Sequence, residues 1–471
     1  MARRPTQGAM EPVPKADLNI GDQSLGTAPV RKGDLCQSFL SVLPFLGVGV
    51  NGFPSYMNGP IGDIVSSRLS GKVEGVFHEA HEKRLLFDPL TKPIDVSGDH
   101  KFIAPDYSRG AQRGPCPGLN ALANHGYINR KGVTSLTEVT GAINKIFGMG
   151  LELSTILSVM GTVFVGNPLS LNPGFSIGDT ASGAQNLLGN LAGLLGTPRG
   201  LTGSHNIIEG DSSNTRADLY VTGDASTLVL QQFKDFYEMS PGEGDYNFDV
   251  FAERAYIRFH ESVATNPNFY YGPFTGMIAR NAGYLFACRM FANHSSENPS
   301  GFLNKEVLKS FFAIDGEGDK LTYKRGYERI PENWYRRPVD YSLVHLNLDV
   351  LALAAKYPEL ASIGGNLGEV NSYAGVDLSD LTGGVLNLTK LLEGNNLLCF
   401  VFEIVKTVAP NSLSTLFKII EVPLKLVTDT LGAAILDLTC PAFKDLTVGG
   451  KSFEEGIQVQ FPGAKLGASV L

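Results

Sequence analysis

Two prolines enclose one cysteine at Pro115-Cys116-Pro117, and they leave the backbone there little choice. Pro115 holds the incoming chain extended. Proline is also pre-organised for the first helical position, which marks Pro117 as a helix start and makes Cys116 the N-cap. The unpaired N–H groups of Gly118, Leu119 and Asn120 then point at the sulfur. Together with the positive end of the helix dipole, they are expected to lower the thiol pKa and hold a thiolate. A rigid thiolate with no partner cysteine serves as a nucleophile, a redox sensor or an axial ligand to haem iron.

Helical signals dominate the body and strand patterns are sparse, so the expected fold class is mainly α. Ser135-Leu136-Thr137-Glu138 is a capping box, followed by Ala142, Ile143, Ile146 and Phe147 on one apolar face. Residues 228–239 read as a helix stopped by Ser240-Pro241-Gly242, and 251–263 as another that ends before Asn266-Pro267. Residues 181–203, rich in Gly, Leu and Asn, predict a short helix followed by loop. Turn signals at Pro60, Pro89, Pro93 and Pro105 predict that 53–114 is mostly loop wrapped on the core. Within 376–445, Leu424, Val427, Leu431, Ile435 and Leu438 make one apolar stripe. Glu403, Lys406, Lys418, Glu421 and Lys425 interrupt the apolar runs, which predicts packed helices and no stable membrane span. The expected organisation is a leader over 1–52, a compact helical domain over 53–330, a C-terminal helical extension packed on it over 331–445, and a tail over 446–471.

The chain has 471 residues, 43% of them hydrophobic, which is ample for a large buried core. Its 39 basic residues against 47 acidic ones give a net charge of -8, which argues against a nucleic-acid partner. Five cysteines without C-x-x-C spacing, and no H-E-x-x-H, exclude a disulfide scaffold and a zinc site. Residues 1–35 read as a disordered leader. The apolar run at 39–50 is too short to cross a bilayer, which takes about 20 residues. Its length suits a signal-peptide h-region, the other reading being a buried hydrophobic arm. Gly47, Gly49 and Gly52 spell G-x-G-x-x-G, but no helix can begin at Phe53-Pro54, so this is no dinucleotide loop. The expectation is export as a secreted protein that begins near residues 50–53, with glycan sequons at Asn293-His294-Ser295 and Asn387-Leu388-Thr389. An exported chain would pair Cys399 with Cys440, a loop closure worth about 3–4 kcal/mol, and otherwise both are buried free thiols.

The block Pro115-Cys116-Pro117, followed by Leu119-Asn120-Ala121-Leu122-Ala123-Asn124-His125-Gly126, resembles the haem-thiolate peroxidase family, which includes fungal chloroperoxidase and the unspecific (aromatic) peroxygenases. A second block, His205-Asn206-Ile207-Ile208-Glu209-Gly210-Asp211-Ser212-Ser213-Asn214-Thr215-Arg216-Ala217-Asp218, is similar to that family's acid-Gly-Asp segment. The resemblance covers roughly 53–330. It implies that Cys116 ligates the iron of haem b, and that Glu209, the Gly210 carbonyl and Ser213 hold Mg²⁺ or Mn²⁺ beside a haem propionate. Hard oxygen ligands suit such a cation. Glu-Gly-Asp recurs at Glu243-Gly244-Asp245 and Glu317-Gly318-Asp319 without the flanking residues, and those copies read as turns.

A third block, Asn266-Pro267-Asn268-Phe269-Tyr270-Tyr271-Gly272-Pro273-Phe274-Thr275-Gly276, either lines a pocket for a flat substrate or supplies ordinary core aromatics. The family resemblance implies a distal Glu just after such a segment, paired with an Arg or His, to handle the peroxide proton. Residues 278–288 contain Arg280 but no carboxylate, so the nearest substitutes are Glu261 and His260. The activity implied is a haem-dependent peroxidase or peroxygenase that uses hydrogen peroxide to oxidise or oxygenate a small organic substrate, aromatic or apolar. Halide oxidation and haem binding without peroxide chemistry are the alternatives, the missing carboxylate favouring the last.

Overall fold

In the computed structural model the described residues are 89–167, 172–181, 198–376, 447–448 and 451–464. All belong to one unit, Ser55–Leu471. Helices begin where the sequence supplies caps. Cys116 is the N-cap of α1 (Pro117–Asn124), with Pro117 in its first turn. Ser135 caps α2 (Leu136–Phe147) through the full capping box, Ser135 Oγ accepting the Glu138 N–H while Glu138 takes the Ser135 N–H. Just before it, β1 (Val133–Ser135) leads into the helix.

After Gly148, whose φ is 68°, the chain enters α3 (Leu151–Val165), packed along α2. This helix is buried on nearly every side, its hydroxyls included, so no 3.6-residue apolar stripe marks it in the sequence. Its buried hydroxyls are satisfied internally: Thr155 Oγ1 donates to the Leu151 carbonyl at 2.6 Å, Ser158 Oγ to Ser154 at 2.7 Å and Thr162 Oγ1 to Ser158 at 2.8 Å. Gly161 admits β2 (Gly174–Ser176), because a Cβ there would lie 2.7 Å from the Phe175 ring. β2 pairs antiparallel with β1, Thr134 opposite Phe175.

The windows 228–239 and 251–263 contain α4 (Leu230–Glu238) and α5 (Phe248–Thr265). α5 starts earlier than the apolar pattern because Asn247 accepts the N–H groups of Asp249 and Val250. Next come β3 (Tyr270–Tyr271), a π-helical turn (Thr275–Arg280) and α6 (Asn281–Met290), which packs on α5. α7 (Lys305–Phe311), the hairpin of β4 (Ile314–Asp315) with β5 (Thr322–Tyr323), and α8 (Leu343–Lys356) follow. β6 (Gly364–Gly365) joins β3 to β7 (Ala374–Gly375) in a three-stranded ribbon. Helices with a few short strand pairs make the class mainly α.

The core centres on Phe147, Phe291, Phe311 and Trp334. Phe291 and Phe311 stack at 4.2 Å, and Trp334 Nε1 donates to the Phe291 carbonyl at 2.9 Å. A Cβ on Gly118 would be 3.4 Å from Phe147, so the start of α1 rests on this cluster. Residues 89–114 are turns with short 3-10 segments at Gly98–His100 and Tyr107–Arg109, as the prolines predict. Of the extra Glu-Gly-Asp copies, Glu243 ends a turn with Gly244 at a φ of 80°, and Gly318, at a φ of 53°, opens a short 3-10 segment (Gly318–Lys320). α9 (Phe453–Gln460) ends beside Phe461, which is buried against Tyr270. The leader with its 39–50 run, most of 181–203, the apolar stripe of 424–438, Asn387, Cys399 and Cys440 lie outside the described residues. No helix among the described residues is long and apolar enough to cross a membrane.

Candidate active site

The residues that follow Cys116 staple its loop in place. Asn120 Oδ1 accepts the Gly114 N–H at 3.0 Å, and Asn120 Nδ2 donates to the Gly114 carbonyl at 2.9 Å and to Glu328 Oε1 at 3.0 Å. Asn124 Oδ1 takes the Arg113 fork at 2.9 and 2.7 Å, and its amide donates to the Gly326 and Glu328 carbonyls, both at 2.7 Å. His125 Nε2 accepts the Ile330 N–H at 3.1 Å while Nδ1 donates to the His100 carbonyl at 2.7 Å. Every polar side chain of the block therefore ties α1 to a distant segment. Asn124→Ala strips four of these bonds from a buried site, and urea unfolding should register a loss of more than about 2 kcal/mol.

Cys116 packs on the apolar core, and its surroundings correct one expectation. Burial pushes the thiol up, while the Leu119 and Gly118 N–H groups and the Arg216 charge pull it back. The net direction is upward, because lost hydration of the thiolate outweighs the helix dipole. Arg216 belongs to the second block, so its charge already links the two blocks.

That second block is a buried polar knot. His205 Nδ1 bonds Glu209 Oε2 at 2.6 Å. Burial alone would depress His205, but the Glu209 hydrogen bond and the charges of Glu209, Asp211 and Asp218 raise it to about 9. Asp211 Oδ2 accepts from Asn266 Nδ2 and the Tyr270 N–H, each at 3.2 Å. Burial and the neighbouring Asp218 hold Asp211 well above the usual carboxylate range. Ser212 takes a left-handed φ of 60°, a strain of about 1–3 kcal/mol. It is held by its N–H on Asp218 Oδ1 at 2.8 Å, and by Arg280 Nε and Tyr284 OH on its carbonyl at 3.1 and 2.9 Å. Gly210 is required by close approach, since a Cβ would sit 2.9 Å from the Thr275 carbonyl. Ser213 Oγ lies 3.4 Å from the Arg216 carbonyl. Glu209, Gly210 and Ser213 share one loop, yet among the described residues no group of three His, Cys, Asp or Glu is arranged for a metal.

One face of α5 completes the region. Arg254, Arg258 and Glu261 are spaced i, i+4, i+7, so they align on that face. Arg258 Nη1 bonds Glu261 Oε2 at 2.5 Å, and Arg254 Nη1 lies 3.9 Å from Glu261 Oε1. The same arginines clamp the second block, Arg258 Nε on the Ser213 carbonyl at 3.0 Å and Arg254 Nη2 on that of Asn214 at 3.2 Å. His260 is exposed, its ring against Tyr256 at 4.5 Å and Phe259 at 5.5 Å. Arg280 is committed to the Ser212 and Ala255 carbonyls and Asn281. Phe269 and Tyr271 are fully buried, with Tyr271 OH on the Leu360 carbonyl at 2.8 Å, so this part of the third block is core. The sequence pattern had not singled out Arg254, Arg258 or Glu328; the first two were discoverable from their spacing to Glu261.

Several buried polar atoms of the second block have no protein hydrogen-bond partner, among them His205 Nε2, Ser212 Oγ and both amide atoms of Asn214. A soft sulfur donor in apolar surroundings, near unpartnered buried donors suited to propionates, is a donor set that fits haem. Residues 100–339 match the family described as peroxidase, family 2. The chain is 68% identical over 431 residues to aromatic peroxidase fscJ of Fusarium equiseti, covering 92% of this chain and 99% of that protein. It is 40% identical over 370 residues to the dothistromin biosynthesis peroxidase dotB of Dothistroma septosporum, 77% and 86% of the two chains. An aromatic peroxygenase of Cyclocybe aegerita is 29% identical over 272 residues, 56% of this chain and 64% of that one. With the family match spanning half of the chain and two relatives aligned over most of their length, the chain belongs to the family 2 peroxidases.

Proposed function

We propose that this peroxidase carries haem b on Cys116 and uses hydrogen peroxide to oxidise or oxygenate a small aromatic substrate. The observation that carries the ligation is Cys116 itself, seated at the start of a buried helix whose every polar side chain is anchored. The substrate class is supported by the names of two relatives, an aromatic peroxidase and an aromatic peroxygenase. Bound haem supplies the iron at which the peroxide O–O bond is cleaved, and a thiolate ligand favours that cleavage. As an iron ligand Cys116 would be a thiolate, so haem binding would release the thiol proton to solvent. The Glu261 carboxylate would serve as the acid–base group that accepts the peroxide proton and gives it back to the departing oxygen. Arg258 and Arg254 hold that carboxylate in one position and balance its charge. A red-shifted Soret band of the reduced CO complex tests the ligation. Phenol turnover with peroxide tests the activity, and monochlorodimedone turnover with chloride tests for halide oxidation.

The cation reading extends this proposal: Glu209, the Gly210 carbonyl and Ser213 bind Mg²⁺ or Mn²⁺ in a structural role. Glu209→Gln is expected to reduce retained metal and haem loading more than turnover per haem. Unchanged metal stoichiometry in the variant would count against it.

Export belongs to the same proposal, on the strength of the apolar run at 39–50. At the Asn293 sequon, the side chain accepts the Tyr335 N–H at 2.7 Å, so a glycan there competes with a structural bond. N-terminal sequencing should find a mature start near residues 50–53. An intact N-terminus on cytosolic, unglycosylated protein would reject export.

A further inference from the structure

We propose that the buried pair Arg216 and Glu328 sets how strongly the Cys116 sulfur donates charge to its iron, Arg216 restraining donation and Glu328 restoring it. The inference rests on the Cys116 ligation proposed above.

Both side chains are almost wholly buried, Arg216 at 4% exposure and Glu328 at 1%. Arg216 Nη2 lies 3.9 Å from Glu328 Oε1, which already accepts Asn120 Nδ2 at 3.0 Å. The pair therefore interacts as charges without a direct hydrogen bond. Arg216 Nη1 donates to Thr215 Oγ1 at 2.6 Å, and the guanidinium sits 6.0 Å from the Phe312 ring centre. Arg216 Nε and Nη2 and Glu328 Oε2 have no protein hydrogen-bond partner.

Such a pair is a poor stabiliser, because two ions leave water for one imperfect contact. Nor does anchoring α1 demand the carboxyl: Asn120 spans Gly114 in both directions, and Asn124 holds the Glu328 segment through backbone carbonyls. What distinguishes the pair is its place against the turn that carries the sulfur: Glu328 Oε1, which faces Arg216, also holds the Asn120 side chain that brackets Gly114, two residues before Cys116, so two charges of opposite sign stand at that turn. In a low-dielectric interior such fields are weakly screened. Charge and hydrogen bonding around a ligating sulfur are the protein's lever on iron potential.

Spectroelectrochemistry on the haem-loaded full chain is the test, read alongside the CO-complex spectrum. Glu328→Gln keeps an acceptor for Asn120 but leaves Arg216 unopposed, so the iron potential should rise. Arg216→Gln leaves Glu328 unopposed, so the potential should fall, and Arg216→Lys should stay near the parent. The double variant should return toward the parent value. Shifts of the same sign in both single variants, as a merely loosened helix would give, overturn the proposal, and so do unchanged potentials. Should Arg216→Gln fail to load haem, Glu328→Gln decides alone: a rise supports the pairing, and a fall or no change overturns it. A parent chain without a thiolate-type CO band overturns the ligation itself, which is a separate failure from potentials that do not move.

Discussion

Cys116→Ala is expected to abolish the thiolate-type spectrum and peroxide-driven oxygenation, and to remove most haem retention, while leaving the fold intact. The fold survives because the anchors of α1 to the rest of the molecule are side chains other than the cysteine's. That helix is held by Asn120, Asn124 and His125, none of which touches the sulfur through a bond. A stable apoprotein that no longer takes haem separates ligand loss from misfolding. Cys116→His is expected to retain haem with an imidazole-type spectrum and weaker O–O cleavage. If Cys116→Ala keeps the red-shifted CO band, the ligand lies elsewhere. The remaining cysteine of the described residues, Cys288, is buried within α6.

Glu261→Gln should slow peroxide consumption by about 10²–10⁴-fold, the usual worth of a positioned acid–base group, with the resting spectrum unchanged. Glutamine preserves the shape and the Arg258 contact but neither accepts nor returns a proton. Arg258→Lys should lose part of the same rate, because an ammonium has no planar fork to hold the carboxylate. His260→Ala is expected to change little, since that ring is exposed and rests on Tyr256. Stopped-flow rates that fall for His260→Ala and not for Glu261→Gln would exchange the two roles. Parent-like rates in both would put the proton handler outside α5.

Much of this molecule is legible from short stretches, because caps and prolines act within one helical turn. Pro117 marks the start of α1, Ser135 and Glu138 the start of α2, and Ser240-Pro241-Gly242 the end of the α4 window. The two blocks around Cys116 and Glu209 are equally local, which is why a resemblance to a family could be carried by their residues alone. α3 escaped notice because a helix buried on all sides has no stripe, and α8 because its capping box closes with His345 in place of a carboxylate.

What only the tertiary structure decided is environment. A helix N-terminus by itself predicts a depressed Cys116 thiol, and packing against the core reverses the direction. Glu328 reaches Asn120 across 208 residues of sequence, a distance over which no periodicity carries information. His260 and Glu261 are neighbours in the chain, yet the turn of α5 sends one toward solvent and the other toward two guanidiniums. The sequence by itself determined which groups exist and where helices start, since those follow from covalent geometry and nearest neighbours. Burial, charge pairing and the direction of a pKa shift depend on what long-range packing brings alongside, so they were settled only by the fold.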